Sequence, residues 1–139
     1  MIEKSCACIP EAVTFFDLLR ECPVMISESH KRMQLRKDVL LLVFPEEPKT
    51  SARFMVKLSK TRWWAKCRAL NQLFASEKSI LPVIIMVFVI LSEDAEVPAP
   101  IRAKARGFFF SSWFCLETLA VGVIFAKIFS LTEPVSKYL

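Results

Sequence analysis

Glycine is almost missing from this chain: Gly107 and Gly122 are the only two in 139 residues. Tight β-hairpins draw on residues that tolerate positive φ, chiefly glycine, so a hairpin-built β fold is excluded and a mostly α-helical fold is expected, with the eight prolines as punctuation. The glycine-poor sequence also leaves no loop able to cradle a phosphate. His30 is the sole histidine, and no paired-carboxylate motif stands near it or elsewhere. No catalytic residue, no cofactor-binding residue and no metal site is therefore expected, and the chain reads as a non-enzyme. A zinc site built from Cys6, Cys8, Cys22 and His30 is disfavoured, because the C-x-C-x13-C-x7-H spacing matches none of the usual structural-zinc patterns.

Paired cysteines are lacking too. Five is an odd number, and Cys6 and Cys8 stand one residue apart, which argues for reduced thiols in a reducing compartment. Glu3 and Lys4 break any long apolar run before Glu11, so no cleavable secretory signal is expected. The one asparagine, Asn71, lies outside any glycosylation sequon.

What the chain has in excess is apolar surface and segregated charge. Hydrophobic residues make up 54% and mean hydropathy is +0.41, above ordinary soluble composition, with the excess concentrated after residue 79. At this length the chain is a single domain's worth of material. Residues 1–30 carry two basic and five acidic side chains, residues 31–78 twelve and four, and the remainder balances. The basic block thus directly precedes the apolar half, as in inserted proteins that retain a positive flank on the cytoplasmic or matrix side.

Along the chain, Pro10 followed by EAVTFFDLLRE predicts a first helix with Ala12, Phe15, Phe16 and Leu19 on its apolar face, ended by Pro23. Ser27 or Ser29 is a candidate cap for a second helix reaching Phe44, although DVLLLVF alone suits a buried strand as well. PEEPKTS, 45–51, reads as a linker. These segments form an N-terminal helical region, residues 1–52, of an integral membrane protein. Residues 53–72 are expected to be a basic interfacial helix, with Val56, Trp63, Cys67, Leu70 and Phe74 on one stripe. There Arg53, Lys57, Lys60, Arg62, Lys66 and Arg68 would contact anionic lipid, gaining about 1 kcal/mol per basic residue near the surface. Trp63, Trp64, Lys78 and Lys127 would serve as interfacial anchors.

Residues 73–131 are expected to form a two-helix transmembrane hairpin, about 73–92 and 108–131, followed by a C-terminal tail at 132–139. The apolar run Ile80 to Leu91 is too short by itself for the roughly 20 residues a span requires, so the first helix has to reach back to Leu73. Failing that, it would re-enter or pack in a soluble core. SEDAEVPAPIRAKARG reads as the connecting loop, with Pro98 and Pro100 excluding a continuous helix. The second span, FFFSSWFCLETLAVGVIFAKIFSL, contains only Glu117 and Lys127 as charges. A carboxylate at its centre costs about 2.5–3.5 kcal/mol on insertion scales, which points to a partner helix, water path or cation for Glu117, with Ser111, Ser112 and Thr118 supplying hydrogen bonds.

The function expected from sequence is an accessory or scaffolding subunit of a membrane complex. It would sit in an organellar or intracellular membrane, in contact with lipid and with other membrane proteins or itself. Two alternatives stay open. One is a self-associating pore-forming or membrane-perturbing protein with Glu117 on the path. The other is a soluble helical domain that binds an acidic partner or RNA through residues 53–68, with nucleic acid disfavoured because the basic segment adjoins the apolar half.

Overall fold

A computed structural model describes residues 8–46, 63–74, 79–113 and 115–136, without the side chains at 63–65, 133 and 136. Of the described residues 85% are helical, and no strand occurs among them. Among the described residues six α-helices follow one another: α1 (Pro10–Ser27), α2 (His30–Val43), α3 (Trp63–Phe74), α4 (Leu81–Glu93), α5 (Ala99–Gly107) and α6 (Leu116–Ser136), with a wide π turn (Phe108–Trp113) between the last two.

α1 begins with Pro10 at a first-turn position, where its missing N–H costs nothing. Ala12, Phe15 and Leu19 are buried and Phe16 is half-buried, the face that the apolar spacing predicts. The helix does not stop at Pro23. It runs a further turn to Ser27, because Cys22, Met25 and Ile26 are buried on that turn. Each such side chain gains about 1.5–3 kcal/mol from burial, against roughly 3 kcal/mol for an interior proline. Ser29 stands at the start of α2 in an extended conformation but makes no side-chain cap; its carbonyl accepts from Met33 N–H at 3.0 Å. Arg32 Nη1 donates to the Met25 carbonyl at 2.5 Å and fastens the α1–α2 corner.

The helices α3 and α4 are separate elements. The amide of Ile80 donates to the carbonyl of Gln72 at 2.9 Å, and the Ser79 hydroxyl bonds the Leu73 carbonyl. A helix continuous from 73 to 92 would carry Ile80 about 12 Å beyond Gln72, so the extended first span gives way to a fold-back. α4 is then a short core helix with Val83, Ile84, Val87, Phe88 and Leu91 buried.

The expected loop after it is half helix. A tight turn closes on Asp94, whose carboxylate accepts from Glu96 N–H at 2.9 Å, and Pro98 and Pro100 sit at the entrance of α5. At that position proline starts a helix instead of preventing one. Arg106 Nη2 donates to the Ser92 carbonyl at 3.3 Å and ties α5 back onto α4.

The core is a single apolar cluster shared by all six helices. α4 packs on α2 and α5, and α6 packs on α3 and α1.

Candidate functional site

The segment expected to be one straight span is divided in two. α5 with the π turn and α6 meet at 67°, and no single helix among the described residues is long and apolar enough to cross a membrane. Two local features explain the break. In the π turn, hydrogen bonds close over five residues instead of four, which brings residues five apart toward one side; on an α-helix they would stand about 140° apart. Phe108 and Trp113 consequently both point inward, at 7% and 0% exposure, while Phe110 between them is 62% exposed. A new helix then starts at Leu116, the Cys115 carbonyl accepting from Leu119 N–H at 3.1 Å.

Trp113 holds the break against the core. Its indole N–H donates to Cys22 Sγ on α1 at 3.2 Å, both groups being fully buried. Burial raises the Cys22 thiol from 9.0 to about 12; the Trp113 hydrogen bond works against that rise, Glu21 adds to it and Lys104 opposes it. Cys22 is therefore a neutral packing group and no nucleophile. Cys8, Cys22, Cys67 and Cys115 form no disulfide. Among the described residues no three His, Cys, Asp or Glu side chains converge as a metal site. His30 is exposed at the head of α2.

Glu117 occupies the first turn of α6 and is exposed. It stands beside the partial positive charge of unpaired N–H groups and not at the middle of a long apolar helix. Ser111 and Ser112 lie in the π turn before the break; Thr118 follows Glu117 and is half-buried. The four residues expected to act together thus fall on two elements.

Of the basic set, Lys66 lies with its ammonium 5.4 Å from the centre of the Phe16 ring and Arg68 is exposed on α3. Arg53, Lys57, Lys60, Arg62 and Lys78 fall outside the described residues, as do the side chains of Trp63 and Trp64. The predicted stripe holds where it can be seen: Cys67 and Leu70 are buried and Phe74 is half-buried.

α6 is apolar on both sides. Its inner side presents Gly122, Phe125 and Phe129 to α1 and α3. A Cβ on Gly122 would run into the Phe74 ring and stand 3.0 Å from Phe15 Cε2, so glycine sets how closely the three helices approach. Phe16 packs edge-on against Phe125 with ring centres 5.2 Å apart. The outer side exposes Leu116, Val123, Ile124, Leu131 and Val135, with Leu116 at 84% and Leu131 at 67%. At 3.6 residues per turn these cover an arc of about 120°, on which Lys127 and, at its edge, Glu117 are also exposed. Sequence periodicity could not separate the two sides, because both are apolar. The one available signal was Gly122, a glycine in the middle of an otherwise strong helical segment.

Comparison of the chain with known protein families, with curated proteins and with solved structures gives no match.

Proposed function

We propose that this is a non-enzymatic, membrane-associated helical protein that acts as an accessory or scaffolding component of a membrane complex. The supporting observation is the outer arc of α6. A soluble monomer rarely leaves a long contiguous apolar stripe in water, and one so placed marks contact with lipid or with another protein. The inner side of α6 is already occupied by α1 and α3, so the arc is a second apolar side beyond the one the core uses.

The expected carriers of this role change with the geometry. Leu116, Val123, Ile124, Leu131 and Phe110 offer the apolar contact, and Lys127 supplies a positive charge on the same arc of α6. Glu117 supports the start of α6, which weakens the pore alternative that placed it on a conducting path.

Fractionation of cells expressing the full chain tests the reading. The expected result is recovery in the membrane fraction, reduced when Ile124 and Leu131 are both replaced by serine. Complete recovery of the unaltered chain in the soluble fraction sinks it.

A further inference from the structure

We draw no further inference here: the strongest candidate, the exposed apolar arc of α6 formed by Leu116, Val123, Ile124 and Leu131, already carries the proposed function, and nothing in the structure shows what covers it.

Discussion

α6 turns Gly122, Phe125 and Phe129 toward α1 and α3, and Leu116, Val123, Ile124 and Leu131 away from them, so two sides of one helix with the same apolar character have opposite surroundings. The difference lies in the shape of the inner residues. Glycine lets the backbones approach and the Phe125 ring meets Phe16 at 5.2 Å, whereas the outer aliphatic side chains stay more than half exposed. Composition says that α6 avoids water; only the packing says which half of it has already done so.

The sharpest way to break that comparison is a matched pair of truncations. Phe129 is 1% exposed, and Phe129→Ala should cost about 3–5 kcal/mol, a large share of the roughly 5–15 kcal/mol that a small domain has. Leu131→Ala, two residues along on the outside, should change stability by less than about 0.5 kcal/mol in solution. Urea unfolding of both variants without lipid checks the pair; equal losses would mean that the outer side is covered by a second copy.

Gly122→Ala probes the close approach directly. Alanine gains roughly 0.8–1 kcal/mol of helix propensity over glycine, while overpacking costs typically 1–3 kcal/mol. The half-buried Phe74 ring can swing aside, but Phe15 is buried, so the steric cost should win and leave a net loss of about 1 kcal/mol. A gain in melting temperature would show that the helices separate more easily than this packing implies.

Cys22 tests the anchor of the bend. Its thiol is raised in the folded state to about 12 from 9.0, so both states hold the proton below pH 9 and its contribution is fully present there. Above that pH the unfolded thiol ionises and the buried one does not, so stability should fall between about pH 9 and 12, by up to about 1.4 kcal/mol per pH unit. Cys22→Ala should flatten that alkaline limb relative to the unaltered chain. Alkylation should agree, modifying exposed Cys8 in the native protein and Cys22 only on unfolding.

Much of the helical architecture was legible in the sequence. Two glycines excluded hairpins, Ala12, Phe15 and Leu19 marked the inner face of α1, and Cys67 and Leu70 that of α3. The fold-back at Ile80 and the break after Trp113 were not, for a common reason: hydrophobic periodicity reports which residues avoid water, not whether lipid or protein replaces it. Where a stretch is apolar all round, as from Phe108 to Phe129, the signal is flat and a break inside it leaves only small traces. Those traces were present. Ser111 and Ser112 are adjacent, of the kind found at kinks, and Glu117 sits where an acid in the first turn of a new helix belongs. Pro23, Pro98 and Pro100 misled in the other direction, since a proline opens a helix as readily as it closes one and can be carried inside when the next turn is buried.

Glu117 gives the smallest expected effect and separates the two accounts of this region by sign. As a first-turn acid, exposed to water, it interacts favourably with the α6 N-terminus, so Glu117→Gln should cost about 0.3–1 kcal/mol at low salt and less as salt screens it. In the middle of a continuous membrane-spanning helix the same substitution would remove the least welcome charge and strengthen membrane insertion instead. Thermal unfolding in low and high salt, set beside vesicle partition of the same variant, reads both quantities at once. A small, salt-sensitive destabilisation with unchanged partition places Glu117 at the start of a helix. Stronger partition would restore the straight span, and α6 would then have to leave α1 and α3 on entering the bilayer.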